Sequence, residues 1–359
     1  MNNLVISIAG TLLSKNIPFC IYRFPEEYNL KLAVSSDLLT DEVGIGFKMS
    51  PFQKSNENKE VILKVLQKEL ITDNFLEKLH KMPVRSDFWR SLSPQTSKKN
   101  YFTQIHSFLD ELQKGDLKKA ILSRVFYEEK SKDFDAIHCF QELHQNNPSA
   151  FVYLACHPFS GMWLGASPEL LLLKEGTSLQ TIALAGTQSK NPTKEYHWRK
   201  KEQEEHAMVG QHIEKVLKKI GGGVEAKKGP YSIETDSVAH LRTNYDFNLP
   251  KNVDLEEVVK VLHPTPAIAG LPVTNALNCI QNHEKYDRKY YCGIIGEIEQ
   301  EGNARLFVNL RCMQVGKENI AIYVGGGITA DSDPREEWEE TVLKGNTMKR
   351  CIDSTKVLH

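Results

Sequence analysis

The segment SDPREEWEETVLK places Glu336, Glu337, Glu339 and Glu340 within about one helical turn, where like charges on one face repel. Part of that run has a simple account. Asp333 suits an N-cap, Pro334 the first helical position and Glu336 the third, and acids in a first turn complement the helix dipole. Left over is a face made by Glu337, Glu340 and Lys344 at i,i+3 and i,i+4 spacing. Two carboxylates and an ammonium on one face describe a place for a hard cation and an anion together; a solvated charged face is the alternative. Oxygen donors without Cys or His favour Mg2+ over zinc. A second acid stands out in KEQEEHAMVGQHIEKVLKKI. Val209, Ile213, Val216 and Ile220 form an apolar helical stripe, and Glu205 lies on its N-terminal extension. A carboxylate heading into a core requires a partner, unless that helix end protrudes into water.

Three strand-like stretches carry further chemistry. Alternation in KKAILSRV puts Lys119 on a face with Ile121, Ser123 and Val125. Such a lysine either snorkels out at the strand edge or sits in a closed pocket. There desolvation would lower its pKa, and the neutral amine could take a proton from water. GASPELLLL holds a single acid, Glu169, between a turn and four leucines. It is either an exposed strand-start residue or a carboxylic acid kept protonated by apolar surroundings. LRCMQV holds Arg311 inside a strand, and a guanidinium fork suits a carboxylate. Gly325, Gly326 and Gly327 end a strand without side chains, so backbone there can approach a ligand and offer N–H groups to an anion.

The elements that must position these groups follow from periodicity. LVISI, PFCIYRF and VGIGF read as strands, a helix is expected near 59–70, and SLSPQTSKKN reads as a linker. Tyr101, Ile105, Phe108 and Leu112 have helical spacing, stopped at Gly115. KAILSRVFY, FVYLACH and GMWLGA are strands, a helix is expected near 134–145, and a long one over 194–220. RLFVNLRCMQV and IAIYVGGGIT form a hairpin across GKEN, and the last helix begins near Asp333. Hairpins outnumber βαβ units, so the fold class is α+β with two large, mainly antiparallel sheets packed in the core and helices outside.

The chain has 359 residues with 40% hydrophobic and 25% charged content, as in a soluble globular protein. Its 45 basic and 46 acidic residues nearly cancel, which gives no sign of nucleic-acid or membrane-surface binding. An anionic substrate would therefore be held by local charges. The cysteine count of 7 is odd and forms no CxxC. The cysteines are expected to be reduced, in a cytoplasmic protein. No apolar run is long enough to span a bilayer and no signal peptide is expected. A monomer is the default expectation.

Taken in order, KAILSR, GASPELL, LAGT, EEHAMV, HPTPAIAGLP, YDRKYYCGIIG, LRC, GGGI and EEWEETVLK resemble the chorismate-utilising enzymes over roughly residues 97–352. The resemblance implies a catalytic region at 96–356, with residues 1–95 completing the same fold. It implies that Glu205 and Glu340, with Glu337 beside them, bind Mg2+, which holds the ring carboxylate of chorismate, with Lys344 adding charge nearby. Arg311 and the Gly325–Gly327 backbone would take the enolpyruvyl carboxylate. His240, Ala267 and Ile268 match positions lining the pocket. Within the family, anthranilate synthases usually carry glutamine where this chain has Lys119. A lysine fits water activation, as in isochorismate and salicylate synthases, and also occurs in aminodeoxychorismate synthases. The aminating members typically read AGTRPRG where this chain has AGTQSKN. The expectation is the isomerisation of chorismate to isochorismate, with Lys119 as base and Glu169 as acid. A salicylate-forming lyase and an aminating enzyme are the alternatives. Menaquinone and siderophore synthesis both start from isochorismate.

Overall fold

The computed structural model describes residues 1–39, 44–191, 193–234 and 238–356. In chain order these form α1 (Asn2–Ser14), β1 (Phe19–Arg23), β2 (Lys31–Val34), β3 (Ile45–Ser50), β4 (Val61–Val65), α2 (Asp73–Lys81), α3 (Lys98–Gln113), β5 (Lys119–Glu129), α4 (Ala136–Asn146), β6 (Phe151–His157), β7 (Gly161–Ser167) and β8 (Leu170–Glu175). They continue with β9 (Ser178–Ser189), α5 (Lys200–Lys219), β10 (Gly223–Glu234), β11 (Val238–Asn248), α6 (Leu255–Leu262), β12 (Gly270–Leu271), α7 (Val273–His283), β13 (Ile294–Glu299), β14 (Ala304–Val308), β15 (Cys312–Val315), β16 (Asn319–Ile328) and α8 (Pro334–Ser354).

The α+β class holds, but the two expected sheets are one. Sixteen strands are hydrogen-bonded in the order β10-β11-β9-β8-β14-β13-β3-β4-β2-β1-β6-β7-β15-β16-β5-β12. That ribbon folds back on itself. Phe151 of β6 stacks on Phe307 of β14 at 4.7 Å, although several strands lie between them in the hydrogen-bonded order. The two limbs thus face each other like separate sheets while β3, β4, β2 and β1 join them. Strand β6 shows how period-two alternation serves both faces. Phe151, Tyr153 and Ala155 enter the core between the limbs. Val152, Leu154 and Cys156 enter the core under α1, α4 and α8.

Some local expectations fail. LVISI lies in α1, because Val5, Ile8, Ala9 and Leu12 are buried at helical spacing. The stretch 59–70 contains β4 and a single 3-10 turn at Lys68–Leu70 rather than an α-helix, since pairing with β2 and β3 overrides its local pattern. The long helix starts at Lys200, not near 194. Tyr101, Ile105, Phe108 and Leu112 of α3 do pack together, against α7 and β5. Helix α8 begins as expected, with the Asp333 carboxylate accepting from the N–H groups of Arg335 and Glu336. All seven cysteines are free and buried. Among the described residues no helix is long and apolar enough to cross a membrane.

Candidate active site

A single cavity collects every side chain singled out above: Lys119, Glu169, Glu205, His240, Ala267, Ile268, Arg311, Gly325, Gly326, Gly327, Glu337, Glu340 and Lys344. Its floor is the pairing of β5 with β16, in which Ile121, Leu122 and Ser123 lie opposite Gly327, Gly326 and Gly325. The glycines make room for side chains from other elements. A Cβ at Gly327 would stand 2.7 Å from Lys119 Cε and 3.0 Å from Glu205 Oε1. One at Gly326 would stand 3.3 Å from Glu337 Oε2 and 3.5 Å from Glu340 Oε1. Glu205 from α5 and the acids of α8 therefore converge on two consecutive residues of one bare strand.

Lys119 is 1% exposed, so it does not snorkel out. Its Nζ donates to Glu205 Oε1 at 2.7 Å. The protruding-end account of Glu205 also fails, since that side chain is only 15% exposed and is paired. The structure thus buries the lysine as one alternative required, but gives it a carboxylate partner that the sequence did not reveal.

Each remaining acid has its own cation. Lys344 Nζ donates to Glu340 Oε1 at 2.5 Å and to the Gly325 carbonyl at 3.0 Å. Burial raises the Glu340 pKa, but the charge and hydrogen bond of Lys344 outweigh it and leave the group lower than usual. Glu337 is shifted up, by burial and then by the negative charge of Glu340. It accepts from Ser332 Oγ at 2.7 Å and from Lys201 Nζ at 3.2 Å.

Sequence reasoning missed Glu202, which looks like one more surface acid in KEQEE. It is buried in the same cavity wall, one turn before Glu205. Arg199 donates twice to its Oε1, at 2.9 and 2.6 Å, and its buried Oε2 has no partner. The i,i+3 spacing to Glu205 was the available signal. Among the described residues no three acidic, imidazole or thiolate side chains are already drawn up as a metal cage. The donor set nonetheless fits a hard divalent ion: Glu202, Glu205, Glu337 and Glu340 offer oxygen only, and one buried oxygen lacks a partner.

Two further lining groups are nearly out of reach of solvent. Glu169, at the turn before β8, is 5% exposed. Burial pushes its carboxyl up to about 7, against the nearby charge of Lys119, the hydroxyl of Thr265 and the charge of Lys344. The exposed strand-start account is therefore excluded. His240 sits at a bulge between β11 and β9, where Gly186 is left unpaired with φ +76°. Its Nδ1 lies 2.9 Å from the Gly186 carbonyl. An acceptor there makes Nδ1 the donor and leaves Nε2 as acceptor. Burial, with the charges of Arg311 and Lys344, lowers the His240 pKa to about 3, so the ring is neutral near pH 7.

Arg311 is not inside a strand. It lies just before β15 with φ +47°, and its Nη1 donates to the Lys344 carbonyl at 3.3 Å. The left-handed turn breaks the alternation from which strand placement was read: of the expected hairpin only β15 pairs with β16, while β14, the first half of its first arm, pairs with β13 and β8.

A family model described as chorismate binding enzyme matches residues 47–353. The chain is 30% identical over 238 residues to the isochorismate synthase EntC of Escherichia coli strain K12, a match covering 64% of this chain and 61% of that protein. It thus spans about three fifths of that relative's length. It is 28% identical over 296 residues to the anthranilate synthase component 1 of Aquifex aeolicus, covering 78% of this chain and 57% of that protein. Among solved structures, MenF, the menaquinone-specific isochorismate synthase of Escherichia coli, matches with a TM-score of 0.77 at 21% identity. That match covers 96% of this chain and 91% of the other. At that identity the likeness speaks for the fold.

Proposed function

Because the chain belongs to the chorismate-binding enzymes, we propose that its cavity takes chorismate and isomerises it to isochorismate. The observation that carries this reading is that one cavity holds both a buried lysine and a carboxylic acid whose pKa is pushed up to about 7.

In this reading Glu205, Glu337 and Glu340, with Glu202, hold a Mg2+ ion that supplies positive charge for the ring carboxylate. The chain's own residues do the rest. Lys344 adds charge beside that carboxylate. Arg311 and the N–H groups of Gly325–Gly327 receive the enolpyruvyl carboxylate. His240, Ala267 and Ile268 line the walls. Lys119 leaves Glu205, gives its ammonium proton to solvent, and as the neutral amine takes a proton from water as the water oxygen bonds to ring C2. The double bonds shift, and the C4–O bond breaks as Glu169 gives its proton to the departing hydroxyl, which leaves as water. One water enters and one leaves, so the atoms balance.

Incubation with chorismate and Mg2+, followed by chromatography, tests the reading: isochorismate supports it. Glu340→Gln should shift the Mg2+ titration to higher concentration, and an unchanged titration would remove Glu340 from the metal site. The likeness to an anthranilate synthase at similar identity favours a second reading, an aminating enzyme. Added ammonia with an aminated product would support that reading instead. A lyase step would reveal itself as salicylate fluorescence without any added enzyme.

A further inference from the structure

Lys201 is, with Arg199, a cation in the acidic rim to which the proposed reaction gives no task. It stands at the start of α5, one residue before Glu202, and lines the cavity. Its Nζ crosses to α8, reaching Glu337 Oε1 at 3.2 Å and Ser332 Oγ at 3.3 Å. Ser332 is itself fixed, donating to Glu337 Oε1 at 2.7 Å and accepting from the Thr329 N–H at 3.0 Å. The ammonium therefore spans the two helices that carry the acids. The acids are otherwise matched one to one: Arg199 with Glu202, Lys119 with Glu205, Lys344 with Glu340. Without its lysine, buried Glu337 would face Glu340 uncompensated over Gly326.

We propose that Lys201 is a built-in counter-cation that holds α5 and α8 together in the metal-free protein and is displaced from Glu337 when a divalent ion binds. Lys201 is then a positioning residue that sets how tightly the ion is held. It preassembles the acids, and its competition for Glu337 keeps ion binding reversible. This inference rests on the metal site proposed above.

The test is calorimetric titration of the full chain with Mg2+ alone, together with thermal melting in chelator and in Mg2+. Lys201→Met and Lys201→Gln remove the charge, and Lys201→Arg keeps it. The neutral variants should bind Mg2+ roughly ten-fold more tightly, since one competing charge at contact distance is gone. They should melt earlier in chelator and recover in Mg2+. Lys201→Arg should bind like the wild type. Equal or weaker Mg2+ binding by both neutral variants overturns the proposal, as does an arginine variant that binds as tightly as they do. Neutral variants that stay unfolded at every Mg2+ concentration also overturn it, because Lys201 would then serve folding alone. A wild type that binds no Mg2+ sinks the metal site as well, which separates the two failures.

Discussion

Strand β5 touches two ion pairs that differ in burial and in surroundings. Arg288 and Glu284 pair at 2.6 Å, each side chain 2% exposed. Arg288 reaches both Glu284 oxygens and the carbonyls of Ile121 and Ile268. Glu284 Oε1 also accepts from the Ser123 N–H and hydroxyl. Lys119 and Glu205 pair at 2.7 Å in the cavity, beside a Glu202 oxygen with no partner. The first pair is saturated and ties Ile121 of β5 to the loop that carries Ile268. The second stands in a cluster of acids each paired with a different cation. Saturation marks an ion pair that serves the fold, and leftover capacity marks one that serves a ligand.

The contrast breaks most visibly at Arg288. Arg288→Met should destabilise the protein by about 3–5 kcal/mol by stranding a buried carboxylate, measured by denaturant unfolding. A loss below about 1 kcal/mol would erase the distinction. Lys119→Ala should do the reverse: a turnover loss of roughly 100-fold or more, with an unfolding midpoint much nearer the wild type. Full activity in that variant would remove the lysine from the mechanism.

Glu169 sharpens the comparison through pH. Its proton is the reagent, so kcat/KM should fall as pH rises through about 7, and Glu169→Gln should lose both that limb and most of the activity. The raised pKa also means that the folded state keeps a proton the unfolded chain has lost. The wild type should therefore lose stability relative to Glu169→Gln as pH rises from 4.5 to about 7. Parallel stability curves would show that the carboxyl is not held protonated. The smallest effects belong to the bare strand. Gly327→Ala should push Lys119 off Glu205 and cost roughly ten-fold in kcat, in line with overpacking penalties of about 1–3 kcal/mol. Gly326→Ala meets only carboxylate ends at 3.3 and 3.5 Å and should cost less. Steady-state kinetics on the pair would show whether that order holds.

Much of the cavity was legible because strand alternation and helical spacing act locally. The alternation of Lys119 with Ile121 and Ser123, and the helical face of Glu337, Glu340 and Lys344, survive folding unchanged. What stayed hidden depends on distant partners. In KEQEE only the i,i+3 spacing to Glu205 separates Glu202 from the exposed Glu204, because burial there comes from the cavity wall. Arg288 and Glu284 stand four residues apart, a spacing that says nothing of Ser123, Ile121 and Ile268 closing around them. Arg311 looked like a strand residue because a positive φ leaves no mark on apolar spacing. The N-terminal LVISI and the stretch 59–70 were misread because short apolar runs fit helix or strand; burial at helical spacing decided the first and sheet pairing the second.

The most direct test is product analysis with purified protein, chorismate and Mg2+, run beside an identical sample in chelator. The account predicts isochorismate with Mg2+, none in chelator, and neither salicylate nor an aminated product when ammonia is added. Chorismate left unchanged in Mg2+, or converted to anthranilate once ammonia is present, would contradict it.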